Sequence, residues 1–133
     1  MKPALRLMIF LTLIGNIRFG WTTELPEPIT LSEAEILIYL MPASVKLRQQ
    51  GFDVGWELEK FSNQNADSFR FQVFNAKRKC PEGCSVTVGY FAVDKRTAEV
   101  EDLDARRIVT DEEIRGVQAI LRKEHHLASK HSE

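Results

Sequence analysis

Residues 85–104, SVTVGYFAVDKRTAEVEDLD, constrain the fold of this chain more than any other stretch. Val86, Val88, Tyr90 and Ala92 alternate with Thr87, Gly89, Phe91 and Val93, a period of two that suits a strand with both faces at least partly covered. Asp94-Lys95-Arg96-Thr97 breaks the run. Ala98, Val100 and Asp102 then alternate with Glu99, Glu101 and Leu103, giving a second strand with a more solvated face. Asp at the head of a turn can bond the backbone two residues on, and Lys-Arg at its tip belongs in water. The stretch reads as a β-hairpin around which the other elements pack.

Two strands and a helix precede it. Residues 52–60 alternate apolar with polar, and Phe69, Phe71 and Val73 alternate with Arg70, Gln72 and Phe74; the polar loop 62–67 separates the two runs. Upstream, Ser32 with Glu35 has capping-box spacing and Thr30 with Glu33 offers a second frame. Ile36, Leu37, Leu40 and Leu47 supply an apolar stripe, with Tyr39 and Met41 read as core. Pro42 removes a backbone donor, which predicts a kink or two short helices, and Gly51 is placed to cap the end in the left-handed conformation.

Cys80-Pro81-Glu82-Gly83-Cys84 joins the second and third strands. A three-residue hairpin loop with Gly83 last would set Cys80 across from Cys84, within the reach of a disulfide. In this register Val73 faces Phe91, Phe71 faces Val93 and Phe74 faces Tyr90; a two-residue Lys95-Arg96 loop would likewise set Val93 against Ala98. One face then holds Phe69, Phe71, Val73, Phe91, Val93, Ala98 and Val100, and is expected to carry the helix. The reverse face is polar near the Asp94 turn but apolar toward the cysteines, with Phe74, Ala76, Val86, Val88 and Leu103. Such a patch calls for a cover. One candidate is a final helix, with a capping box at Thr110 and Glu113 and a stripe of Ile114, Val117, Ile120 and Leu121; the other is a partner protein.

The N-terminal residues point to export. Lys2 and Arg6 precede an apolar run, residues 7–14, with the charge and length of a secretory signal but too short to span a bilayer. Residues 1–20 are therefore read as a signal peptide or N-terminal anchor, 21–31 as an extended lead-in, 32–127 as a single α+β domain and 128–133 as a flexible tail. In an exported chain Cys80 and Cys84 are expected to be oxidised to a structural disulfide, although a reactive pair stays open.

A formal net charge of −1 without an aromatic-rich basic stripe argues against nucleic acid as a partner. Membrane contact is expected only through the N-terminal segment if it is uncleaved. All three histidines, His125, His126 and His131, fall at the C-terminal end, so no Ser-His-Asp or Cys-His arrangement is expected. Adjacent His125 and His126 diverge by about 100° on a helix, and neither metal nor cofactor is expected. Glu99 and Glu101 share a strand face at about 7 Å, a spacing open to a carboxylate pair of a hydrolase, although an acidic edge strand more often guards against aggregation.

Val93-Asp94-x-x-Thr97-x-x-Val100, preceded by Tyr90-Phe91 and by a helix and strands, resembles the strand-turn-strand end of PepSY-like domains. These are small extracytoplasmic modules with a cystatin-like helix against an antiparallel sheet. The resemblance spans roughly residues 52–103. It implies binding or inhibition, often connected with peptidases, and carries over no catalytic residue.

The expected fold is α+β, ordered α-β-β-β-β-α, with a four-stranded antiparallel meander packed on helix. The expected function is a noncatalytic protein-binding or inhibitory module of the cell envelope. Its contact would be the Phe74, Val86, Val88 and Leu103 face, or the cysteine loop with Lys77, Arg78 and Lys79. A small envelope hydrolase and a purely structural envelope protein stand as alternatives.

Overall fold

The computed structural model describes residues 25–60, 66–76 and 86–127. The N-terminal apolar run, the Cys80/Cys84 loop with Lys77, Arg78 and Lys79, and the tail from residue 128 lie outside the described residues. The elements run α1 (Leu31–Leu40), α2 (Pro42–Gln49), β1 (Val54–Leu58), β2 (Ser68–Asn75), β3 (Thr87–Asp94), β4 (Val100–Asp102), β5 (Arg107–Ile108) and α3 (Glu112–Glu124). The strands form one antiparallel meander in the order β1-β2-β3-β4-β5. The expected α+β order holds, with one added strand. Two-residue β5 is too short to show a period in the sequence.

Each local boundary has a physical cause. The second of the two capping frames is the one used at α1: the Thr30 hydroxyl accepts from the Glu33 N–H, while the Glu33 carboxylate accepts from the Thr30 N–H at 2.7 Å. Pro42 divides the helical region, ending α1 at the extended residue Met41 and standing at the first position of α2, where its missing donor costs nothing. Gly51 takes a φ of 84°, the left-handed conformation the C-terminus of α2 requires. The Thr110–Glu113 box does not form. Asp111 is the N-cap of α3, without a side-chain capping bond.

The core lies between one sheet face and the helices. Leu37, Ile38 and Met41 pack with Phe71, Val73, Phe91, Val93 and Val100, and Ile114 and Leu121 of α3 belong to the same cluster. Burying each of the larger side chains contributes about 1.5–3 kcal/mol. Four side chains expected in the core lie outside it: Ile36 is 49% and Tyr39 44% exposed, and Leu40 and Leu47 are half-buried. Ile120 of α3 is also exposed, because Ile114, Gln118 and Leu121 form the buried stripe.

The strand register differs from expectation by two residues. Phe71 faces Phe91 and Phe69 faces Val93; beyond the β3–β4 turn, Val93 faces Val100 rather than Ala98. The turn is longer than two residues because Asp94 organises it. Its carboxylate accepts from the N–H groups of Arg96 and Thr97, and its carbonyl accepts from the Ala98 N–H. Ala98 adopts a φ of 60° and Asp94 N–H closes the turn on the Glu99 carbonyl. Side chains alternate every residue, so a slip of two keeps the same residues on the core face. A second departure lies between Val73, which faces Gly89, and Phe74, which faces Thr87. Val88 is the extra residue of a β-bulge. The bulge shifts Val86 to the level of Asn75, whose N–H it receives, on the side of Phe71 and Val73 rather than that of Phe74.

The last helix packs beside the first. Gln118 Nε2 donates to the Ala98 carbonyl and Arg122 Nε to the Thr97 carbonyl, each at 2.8 Å, so α3 supplies donors to acceptors of the Asp94 turn. At its end, His125 Nε2 lies 2.9 Å from Glu33 Oε1 and the His125 carbonyl accepts from the Glu27 N–H. Burial works to raise the Glu33 carboxyl; hydrogen bonds from Thr30 and His125, together with the His125 charge, outweigh it and hold the group below its ordinary value. The α3 cover expected as one option for the reverse face does not occur, since α3 contributes Ile114 and Leu121 to the same core as α1.

Candidate protein-binding face

With the helices gathered on one side, the reverse face of the sheet is bare among the described residues. Alternation places Gly55 and Glu57 of β1, Arg70, Gln72 and Phe74 of β2, Tyr90 and Ala92 of β3 and Glu101 of β4 on this side. The Phe74 ring lies over Gly55, where a Cβ would collide with it, so the glycine provides the seat for the aromatic side chain. Gln72 Nε2 donates to Thr87 Oγ1 at 2.7 Å, an ordered polar contact between β2 and β3. Tyr90 and Val88 stand 37% and 41% exposed beside it. Leu103, half-buried, donates its N–H to the Tyr90 carbonyl, and Asp104 accepts the Tyr90 N–H.

Of the residues singled out in the sequence, the fold brings Phe74, Val88 and Leu103 toward this side and removes Val86 through the bulge. Tyr90 is the residue the sequence reading passed over. Its place in the alternating run was visible, but its exposure depends on where α3 goes.

The other end of the face is acidic. Asp67, Asp94, Glu99 and Glu101 line a hollow of about 140 Å³ with Ala92, Ser68 and Ile108. Glu99 is only 7% exposed and Glu101 is exposed, so the two carboxylates share the hollow from different environments. Asp94 is already engaged by the turn N–H groups. His125 belongs to the end of α3, which packs on the helix side, and does not line this hollow.

A second apolar surface lies on the helix side. Ile36, Tyr39 and Leu40 of α1 line a groove of about 280 Å³ with Trp56 of β1. Tyr39 meets Trp56 edge-on at 6.3 Å between ring centroids, and the Arg48 guanidinium stacks 3.6 Å over the tyrosine ring. Tyr39 is thus braced by Arg48 and Trp56 and stays 44% exposed, while Trp56 packs against the core. Among the described residues no helix is long and apolar enough to cross a membrane.

No protein-family model matches this chain, and no curated protein matches it. Among solved structures, it is similar to a chain in a type VI secretion system effector-immunity complex from Pseudomonas protegens. The TM-score is 0.56 at 14% identity, over 76% of this chain and 80% of the other, a likeness of fold.

Proposed function

We propose that this protein is an exported, noncatalytic binding module that docks a partner protein on the bare face of its sheet. The observation that carries this reading is the gathering of all the described helices on one face, which leaves Tyr90 and the Phe74 ring on the other with no covering element among the described residues. A sheet face with exposed Tyr90 and Val88, a half-buried Phe74 and a polar rim has the composition of an interface. Its acidic end favours a partner that presents basic side chains. The similar chain comes from an effector-immunity complex, which supports a reading in which protein recognition is the function and inhibition its consequence.

Export, a cell-envelope location and a Cys80–Cys84 disulfide belong to the proposal on the strength of the sequence pattern. So does kinship with PepSY-like domains, with which a helix layer on an antiparallel sheet agrees. A peptidase as partner rests on that kinship alone.

The test is affinity capture from envelope extract with the full chain as bait beside Val88→Glu, Tyr90→Glu and Ile36→Glu. The proposal expects a saturable partner kept by the parent and by Ile36→Glu and lost by the other two. Loss with Ile36→Glu alone would move the interface to the Tyr39/Trp56 groove.

A hydrolase reading is favoured by one observation, that Glu99 and Glu101 line one hollow. Turnover of any substrate that survives Glu99→Gln and Glu101→Gln would end it.

A further inference from the structure

Apart from the sheet face, one cluster of side chains brings together groups that the sequence keeps far apart. Glu33, Glu124 and His125 each direct a potential ligand atom into one small volume, all within 4.8 Å of one another. We propose that these three residues bind a divalent transition-metal ion, and that the ion clamps the start of α1 to the end of α3.

The donor set defines the class of ion. One imidazole nitrogen with two carboxylate oxygens suits zinc, nickel, cobalt or copper(II); calcium and magnesium favour oxygen alone. Three protein ligands leave room for water in the remaining positions.

Two of the three ligands are positioned by the fold. Glu33 is held through its other oxygen, Oε2, by the Thr30 N–H, so Oε1 is turned toward His125 Nε2. This contact by a backbone donor is the kind of outer-sphere support that orients a metal-binding carboxylate. His125 is fixed as the C-cap of α3 by its own N–H on the Leu121 carbonyl and by the Glu27 N–H on its carbonyl. The C-terminal end of a helix carries the negative end of its dipole, which favours a cation there.

Charge supplies a further reason. Two carboxylates converge on one imidazole, and a single proton on that ring can neutralise only one of them, whereas a divalent ion balances both. The ligands come from opposite ends of the domain, with Glu33 and His125 separated by 92 positions. Binding therefore selects the folded chain and makes its thermal stability depend on metal concentration.

The experiment titrates Zn²⁺ alone into the chelator-stripped full chain, followed by calorimetry and thermal unfolding. His125→Ala, Glu124→Gln and, as controls, His126→Ala and His131→Ala are titrated in parallel. The expected result is one Zn²⁺ per chain, a midpoint that rises with Zn²⁺, and affinity weakened by more than about tenfold in Glu124→Gln, beyond the lower end of losses for outer-sphere partners. The two control variants should keep the parent affinity. Glu124 is exposed, so its metal-free midpoint serves as the check that the variant folds. Co²⁺ distinguishes the cysteines, since ligation by Cys80 or Cys84 would give a thiolate charge-transfer band. No Zn²⁺ binding by the parent, affinity undiminished in both Glu124→Gln and His125→Ala, or a thiolate band on Co²⁺ would each overturn the assignment.

Discussion

The two faces of this sheet are built from the same strands but from different selections of residues. Phe71, Val73, Phe91 and Val93 point to the helices and are buried, whereas Gln72, Phe74 and Tyr90, one residue away in each case, point to the bare side and are half-buried or exposed. The alternation is equally regular on both faces. What separates them is the covering layer, so an apolar side chain holds the fold together on one face and is available for recognition on the other.

Substitution can break this contrast. Phe71→Ala should cost about 3–5 kcal/mol and Tyr90→Ala under about 0.5 kcal/mol, measured by denaturant unfolding. Equal losses would mean that the reverse face is covered after all. Gln118→Leu removes the donor to the Ala98 carbonyl and should cost about 1–3 kcal/mol in the same assay, because that acceptor lies under α3. A smaller effect is expected from pH in metal-free buffer. The Glu33 carboxyl is held below its ordinary value when folded, so its contribution is full above the unfolded carboxylate range and is lost as pH falls through the folded value. Glu33→Gln should therefore flatten the acid limb of the thermal midpoint against pH; an unchanged limb would show that the contacts with Thr30 and His125 do not contribute. Least of all, Val88→Glu should leave stability within about 0.5 kcal/mol while abolishing partner capture.

Much of the fold was legible along the chain. The capping pair Thr30 and Glu33, the break at Pro42, the left-handed Gly51 and the stripes of β1, β2 and β3 depend on neighbours a few residues away, and pattern reading suffices for them. The register was less legible. Asp94 builds a longer turn than Lys95-Arg96 alone would make, and the Val88 bulge adds a residue that the alternating run does not mark. Alternation places Phe74 and Val88 on the side away from the helices together with Tyr90, whereas the bulge turns Val86 to the core side. The histidines illustrate the same limit. Adjacency in the sequence pairs His125 with His126, yet the partner His125 meets is Glu33.

Away from the Val88 bulge, which turns Val86 and Thr87 over, the local pattern of the chain is enough to assign the strand residues that face the core. A two-residue error in register leaves them unchanged, because side-chain direction repeats every two residues and is set within each strand. Which face stays bare among the described residues is a matter of long-range packing. The Ile114/Leu121 stripe of α3 is apolar and could serve either side of a sheet with apolar residues on both. The choice was made where Gln118 and Arg122 meet the Ala98 and Thr97 carbonyls, acceptors that exist only once the Asp94 turn has folded.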